Sequence, residues 1–144
     1  MSGASPPGDA SAHPDIPVAA IALVRDRRVL MVTARGRDVW FRPGGKVDPG
    51  ECGADAAARE AREEVSLELD PARLDELFEV ATQAHGEPDG RLVRMRVFRA
   101  VTDASPHPSA EIDAVHWAAT DDAWRCPPAG AEVLRLLGAA GLID

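Results

Sequence analysis

The sequence predicts one α/β domain, a sandwich built on a mixed β-sheet. Short apolar and β-branched runs recur along the chain, two other segments have helical spacing, and 144 residues suit a single hydrophobic core. The first 16 residues are rich in Ser, Gly, Pro and Ala. We therefore expect a flexible N-terminal extension over residues 1–16 and one folded domain over residues 17–144.

The first two strands are predicted to form a hairpin. Residues 17–24 and 29–33 are apolar and β-branched, and the charged residues 25–28 separate them. A strand that contains Trp40 is expected next. It leads into Pro43-Gly44-Gly45, which we interpret as a loop because its glycines can take positive φ.

The second half of the chain supplies the remaining elements. Alanines and charged residues predict a helix over residues 54–65, and apolar residues at helical spacing predict a closing helix around residues 133–140. A Gly- and Pro-containing turn at residues 86–90 separates two predicted strands. The strands expected in this half are residues 77–83, 91–101 and 114–118.

Net charge and composition exclude several classes of function. Acidic residues outnumber basic residues 24 to 16, so the formal charge is −8. This charge disfavours binding to long nucleic acid or to an anionic membrane surface. No apolar run reaches the ~20 residues that span a bilayer, the N-terminus does not resemble a signal peptide, and there are two cysteines. These features predict a cytoplasmic protein.

The predicted helix over residues 54–65 carries an acidic stripe. On a helical wheel Glu60, Glu63 and Glu64 lie within about 100° of one another. Like charges at this spacing repel by ~0.2–0.5 kcal/mol per pair on an isolated helix, and Arg59 can relieve only the Glu63 side. Such a stripe is either well solvated or neutralised by a bound cation.

The spacing of residues around this helix matches a known motif. The residues concerned are Gly45, Glu51, Arg59, Glu60, Glu63 and Glu64. They resemble the Nudix box, GX5EX7REUXEEXGU with U an apolar residue. The preceding Trp40-x-x-Pro43-Gly44-Gly45-Lys46 is similar to the segment that leads into the box in that family.

Two positions depart from the motif, and a third weakens the helix start. Ser66 stands where the box has glycine, so we expect a left-handed residue with a Cβ there, at a cost of up to ~1 kcal/mol. Ala61 is a small residue for the apolar U position. Cys52 is predicted as the N-cap, where Ser or Thr would bind the helix backbone better.

The resemblance implies a Nudix-type α/β/α sandwich with a mixed β-sheet, a Nudix helix and a C-terminal helix. It also implies hydrolysis of a nucleoside diphosphate linked to another group, with Mg²⁺ as cofactor and Mn²⁺ as a substitute. A nucleoside triphosphate, as for MutT-like members, is the favoured substrate. Dinucleoside polyphosphates and nucleotide sugars stay open, as does the choice between monomer and homodimer.

The resemblance also implies roles for individual residues. Glu60, Glu64 and the backbone carbonyl of Gly44 would bind a first metal ion, and Glu63 would bind or orient a second. Arg59 would hold a carboxylate in position, and Glu51 would steady the preceding loop. Glu111 is the favoured general base, with Glu60 or Glu63 as alternatives. The candidate substrate-binding residues are Arg35, Gly45 and Lys46.

A catalytically silent Nudix-fold sensor, which binds a nucleotide and regulates a partner, is the alternative function. Such domains usually lack part of the acidic set. Here Glu60, Glu63 and Glu64 are all present together with Arg59, so hydrolysis is the favoured function.

Overall fold

The computed structural model describes residues 14–83 and 90–144. In this part of the chain the order of elements is β1 (Ile16–Arg25), β2 (Arg28–Ala34), β3 (Gly44–Lys46), α1 (Gly53–Val65), β4 (Asp75–Gln83), β5 (Leu92–Ala100), β6 (Ile112–Ala118) and α2 (Pro128–Ala139). Short 3₁₀ helices cover Pro71–Arg73 and Thr120–Arg125. None of the helices in these two ranges is long and apolar enough to cross a membrane.

Strand β1 is the centre of a mixed sheet. Strand β5 runs parallel to it along residues 16–23. On the other edge of β1, β3 pairs with residues 18–20 and β2 with residues 24–25, both antiparallel. Strands β4 and β6 extend the sheet in the order β4-β5-β1-β2-β6.

The side chains of β1 alternate between two hydrophobic cores. Ile21 and Leu23 pack on the face covered by α1, whereas Ala22 packs on the face covered by α2. The α1 residues in contact with the sheet include the fully buried Ala57 and Ala61, whose small side chains let the helix lie close to the strands. The layers are therefore helix, sheet and helix, so the predicted α/β/α sandwich is confirmed.

The predicted hairpin between the first two strands is confirmed. Asp26 and Arg27 both have positive φ, at 51° and 61°, as a type I′ turn requires. In the second half, β4 begins at Asp75, two residues earlier than predicted, and the turn predicted at residues 86–90 lies outside the described residues except for Gly90. Residues 1–13 of the expected N-terminal extension also lie outside them.

The strand predicted at Trp40 is wrong. Only Phe41 pairs here, through an isolated bridge in which it exchanges two backbone hydrogen bonds with Val32. Pro43 has no N–H for a ladder with β2, and its carbonyl instead accepts a hydrogen bond of 3.0 Å from Ile21 of β1. The chain therefore crosses to β1, and the predicted Gly44-Gly45 loop becomes the short strand β3.

Candidate active site

Both ends of α1 have the conformations that the sequence predicts. Cys52 is the N-cap, and its side chain makes no hydrogen bond to the helix backbone. At the other end Ser66 is left-handed, with φ 60° and ψ 30°. The N–H groups of Ser66 and Leu67 donate to the carbonyls of Arg62 and Ala61, which closes the last turn.

Strand β3 presents the backbone of Gly44 to α1. Antiparallel partners alternate between bonded and non-bonded pairs, and the bonds from Ile21 to Pro43 and from Val47 to Pro17 place Gly44 at a non-bonded position opposite Ala20. Its N–H and carbonyl therefore point away from β1. The N–H donates to Glu64 Oε1 at 3.0 Å.

The two glycines of β3 are required by close approach. A Cβ on Gly44 would lie 2.5 Å from the carbonyl oxygen of Ala19, and a Cβ on Gly45 would lie 2.5 Å from Glu60 Oε2. The space that a side chain would fill at Gly45 is thus the space into which the Glu60 carboxylate projects.

Arg59 ties the loop before α1 to the acidic stripe. Its Nε and Nη2 atoms each lie 2.9 Å from one carboxylate oxygen of Glu51, and Nη1 lies 2.9 Å from Glu60 and 3.4 Å from Glu63. Glu51 also accepts the Asp48 N–H at 3.0 Å. These hydrogen bonds, chiefly those from Arg59, lower the pKa of Glu51 to about 2. Glu51 thus links loop and helix, as predicted.

The surroundings of Glu64 disfavour the ionised form of its carboxyl. Burial raises the pKa of Glu64 to about 7, and the neighbouring Glu60 and Glu63 carboxylates act in the same direction. The hydrogen bond from the Gly44 N–H opposes this rise without cancelling it. A perturbed carboxyl beside other carboxylates in a cavity is typical of a functional site.

A cavity of about 290 Å³ lies beside these carboxylates. The three carboxylates of the acidic stripe, Glu60, Glu63 and Glu64, line it together with Phe41 and Glu111. We call this space the acidic cavity. The structure therefore brings the predicted base, Glu111, to the same cavity as the acidic stripe.

The loop before β6 is fastened to the end of α1. Ser109 donates its N–H to the Glu64 carbonyl at 2.9 Å and its hydroxyl to the Glu63 carbonyl at 2.5 Å. His107 donates its N–H to Val65 at 2.9 Å. These bonds satisfy carbonyls that the helix end leaves free, and they attach the segment before Glu111 to the end of α1.

The candidate substrate-binding residues differ in their positions. Arg35 lies beside Glu111, because its N–H donates to the Glu111 carbonyl at 2.7 Å and its guanidinium to Ala110 at 3.4 Å. Lys46 is exposed, and its side chain is not among the described residues that line the acidic cavity. Its carbonyl accepts a bond of 3.2 Å from Arg59.

The donor set of the acidic cavity fits a hard divalent cation. Mg²⁺ prefers oxygen ligands. The carboxylate oxygens of α1 and the carbonyl oxygen of Gly44, which points away from β1, are ligands of this type. Over residues 14–83 and 90–144, no three His, Cys, Asp or Glu side chains are already gathered around a metal position. In this arrangement Arg59 bonds Glu60 and Glu63, so the carboxylates must exchange partners to converge on a cation.

Sequence reasoning missed two residues that shape the cavity. Ser109 fastens the segment that carries Glu111 to the end of α1 through contacts that span about 45 positions of the chain, so no local pattern marks it. Phe41 forms part of the wall. Its position directly before the Arg42-Pro43-Gly44-Gly45 segment is the only sequence signal that could have suggested it.

The fold and the acidic cavity are those of a hydrolase that cleaves phosphoric anhydrides. The NUDIX domain family matches residues 15–137, and the chain belongs to the Nudix family. Members of the family act on nucleoside diphosphates linked to another group and use divalent metal ions. The predicted family, fold and enzyme class are thus confirmed.

Solved structures agree with this assignment. A MutT Nudix hydrolase from Burkholderia pseudomallei is 26% identical, with a TM-score of 0.66 over 86% of this chain and 95% of that one. The MutT protein of Methanosarcina mazei is 20% identical, with a TM-score of 0.71 over 90% and 96%. An Ap4A hydrolase from C. elegans is 24% identical, with a TM-score of 0.66 over 88% and 98%. No curated protein matches the chain.

Proposed function

We propose that the protein is a Mg²⁺-dependent pyrophosphohydrolase of a nucleoside triphosphate or a related small nucleotide, and that it releases a nucleoside monophosphate and pyrophosphate. The observation that carries this proposal is the acidic cavity, which Glu60, Glu63 and Glu64 line together with Glu111. A polyanionic substrate can enter such a cavity only together with cations that neutralise it. The net charge of −8 disfavours long nucleic acid but is compatible with a small nucleotide that binds together with cations.

Named residues would hold the metal. Glu60, Glu64 and the Gly44 carbonyl are proposed for a first ion, and Glu63 for a second. When bound, Mg²⁺ neutralises phosphate charge and lowers the pKa of a coordinated water, and Mn²⁺ is the expected substitute. The place that Gly45 leaves open for the Glu60 carboxylate supports this assignment.

The chain's own groups divide the remaining work. Glu111 is proposed as the general base: it takes a proton from the water whose oxygen attacks phosphorus, while the anhydride P–O bond between the monophosphate and pyrophosphate parts breaks and the leaving part carries away the bonding electrons. Glu60 and Glu63 are the alternative bases. Arg59 is proposed to position the acidic stripe, because it donates hydrogen bonds to Glu60 and Glu63.

Substrate phosphates need cationic and backbone partners near the acidic cavity. Arg35 is proposed for this role because it lies beside Glu111. Lys46 is the second candidate, since it is exposed on the neighbouring strand β3 and has a flexible side chain. The Gly45 backbone, next to Glu60, is the third.

The proposal is tested by a screen for release of phosphate and pyrophosphate. Nucleoside triphosphates, dinucleoside polyphosphates and nucleotide sugars are each offered with Mg²⁺ and then with EDTA; the likeness to an Ap4A hydrolase places the second class in the screen. We expect hydrolysis of a triphosphate that EDTA abolishes. A wild-type protein that is silent on every class contradicts the proposal and favours the nucleotide sensor.

Glu111→Gln separates the base from the metal ligands. If Glu111 is the base, kcat falls while the affinity for Mg²⁺, measured by calorimetry, stays unchanged. An unchanged kcat assigns the base to the helix instead. Asp103→Asn, which changes an exposed acid outside the acidic cavity, is the matched control.

A further inference from the structure

Arg42 is a buried cation that the proposed mechanism does not use. Only 3% of the residue is exposed, and its Nε has no hydrogen-bond partner. Its Nη1 meets the Met31 sulfur at 3.9 Å, and its Nη2 lies 3.4 Å from the Gly130 carbonyl. No carboxylate in residues 14–83 and 90–144 pairs with it, and burial lowers the pKa of Arg42 to about 10. A buried and unpaired charge opposes folding, which points to a functional reason for it.

Arg42 lines a pocket of about 230 Å³, here called the Arg42 pocket. Most of its wall is apolar, with Val18, Phe41, Val93 and Met95 among the lining residues. A flat heterocyclic ring suits such walls. A phosphate group does not, because its remaining oxygens would lie against hydrocarbon.

The first turn of α2 adds further donors to the Arg42 pocket. Ala129 and Gly130 line it, and their N–H groups precede the first intrahelical bond, which runs from the Ala131 N–H to the Pro127 carbonyl. The N-cap, Pro127, has no side chain that could accept from them. The helix dipole is also positive at this end, which disfavours a cation such as Arg42. A ligand that offers acceptor atoms could accept hydrogen bonds from these N–H groups and from Arg42.

The Arg42 pocket adjoins the acidic cavity. Phe41 lines both spaces, and Arg42 directly precedes the Pro43-Gly44-Gly45 segment that contacts Glu60 and Glu64. A nucleotide whose phosphates lie in the acidic cavity can therefore place its base across Phe41 into the Arg42 pocket.

We propose that Arg42 is a specificity-determining residue that donates hydrogen bonds to a carbonyl oxygen of the substrate base, at position 6 of a purine or position 4 of a pyrimidine. This inference rests on the proposed function, because it assumes that the substrate is a nucleotide. A guanidinium has donors and no acceptor, so it binds an oxo group and leaves an amino group at the same position unpaired. The preferred substrates are thus oxo bases, and adenine and cytosine nucleotides are disfavoured.

Binding of nucleoside monophosphates tests the inference without turnover, since they contain no anhydride bond. IMP and AMP differ at position 6, and UMP and CMP at position 4. In calorimetry with EDTA present we expect the wild-type protein to bind IMP and UMP about tenfold more tightly than AMP and CMP, respectively. Equal affinities in both pairs, or no binding of any of the four at millimolar concentration, overturns the inference.

Arg42→Met assigns the preference to the guanidinium. Met has a similar length and removes the buried charge, so the variant is expected to lose the preference while unfolding at the same temperature or higher. The control is Arg135→Met, which removes an exposed arginine that pairs with Glu132 at 2.6 Å and should keep the preference. A preference that survives in Arg42→Met overturns the role of Arg42.

Nuclear magnetic resonance keeps the test independent of variant folding. In the wild-type protein the Nε–H signal of Arg42 should shift when IMP is added and stay in place when AMP is added at the same concentration. Identical responses to the two nucleotides contradict the inference. Hydrolysis in the release screen without any preference for oxo bases would also contradict it, and would leave the proposed function standing.

Discussion

Replacing Glu64 with Gln removes a carboxyl whose ionised form the fold disfavours. Glu64 is partly buried beside Glu60 and Glu63, and burial raises its pKa from 4.5 to about 7. Gln keeps an oxygen that can accept the Gly44 N–H, which now lies 3.0 Å from Glu64 Oε1, and it offers an N–H to Glu60. The variant therefore preserves the local hydrogen bonds and removes the charge.

The pKa of Glu64 determines the sign and size of its effect on the free energy of unfolding. The folded protein binds this proton more tightly than the unfolded chain, so the resulting stabilisation is fully present below pH 4.5 and is lost as the pH rises through 7. At ~1.4 kcal/mol for each unit of pKa, the loss is about 3.5 kcal/mol, and partial exposure reduces it to about 2 kcal/mol. Glu64→Gln does not lose this stabilisation.

Urea unfolding in EDTA at pH 4.5 and pH 8 measures the effect. We expect Glu64→Gln to be about 2 kcal/mol more stable than the wild-type protein at pH 8 and nearly equal to it at pH 4.5. Glu132→Gln, which changes an exposed glutamate paired with Arg135, is the control and should show no gain at pH 8. A variant that is less stable than wild type at pH 8 would refute the reasoning.

Added Mg²⁺ should make the wild-type protein more stable than Glu64→Gln at pH 8. At a hundred times its Kd, a ligand that binds only the folded state stabilises it by about 2.7 kcal/mol. We expect this gain in the wild-type protein at pH 8 and little of it in Glu64→Gln. Equal stabilisation of both proteins would remove Glu64 from the metal site.

Three further substitutions test separate features of the structure. Ser66→Gly should raise the free energy of unfolding by up to ~1 kcal/mol, because glycine takes the left-handed conformation without strain; a lower value in urea unfolding would contradict this. Cys52→Ser should raise the melting temperature by supplying a capping oxygen worth ~1 kcal/mol, and an unchanged or lower temperature counts against the cap. Gly45→Ala should keep the far-UV circular dichroism spectrum but lower kcat, because its Cβ would displace the Glu60 carboxylate; wild-type kcat would show that this close approach is unimportant.

The sequence was most informative where structure depends on neighbouring residues. The α1 helix and its left-handed end at Ser66 could be predicted because spacing of three and four residues and one cap position determine them. The Trp40 strand was predicted wrongly, because the pairing of Phe41 and Pro43 depends on β1 and β2, which lie about 10 to 20 residues earlier.

In the site, too, the features set by neighbouring residues could be predicted and those set by distant contacts could not. The acidic stripe follows from helical periodicity, whereas the position of Glu111 depends on the bonds that Ser109 makes to the end of α1. Arg42 could not be identified as a buried residue, because arginine is usually exposed and its burial arises from β2 and α2 together. Local chemistry was thus readable from the sequence, whereas the contacts that position Glu111 and bury Arg42 were not.

The central claim is that nucleotides are hydrolysed in the acidic cavity. The most direct test compares the kcat of Glu60→Gln with that of the exposed control Glu132→Gln. Both are measured with saturating Mg²⁺ on the triphosphate that the wild-type protein cleaves fastest. We expect kcat to fall about a hundredfold or more in Glu60→Gln and to stay at the wild-type value in Glu132→Gln. Wild-type kcat in Glu60→Gln would contradict the claim.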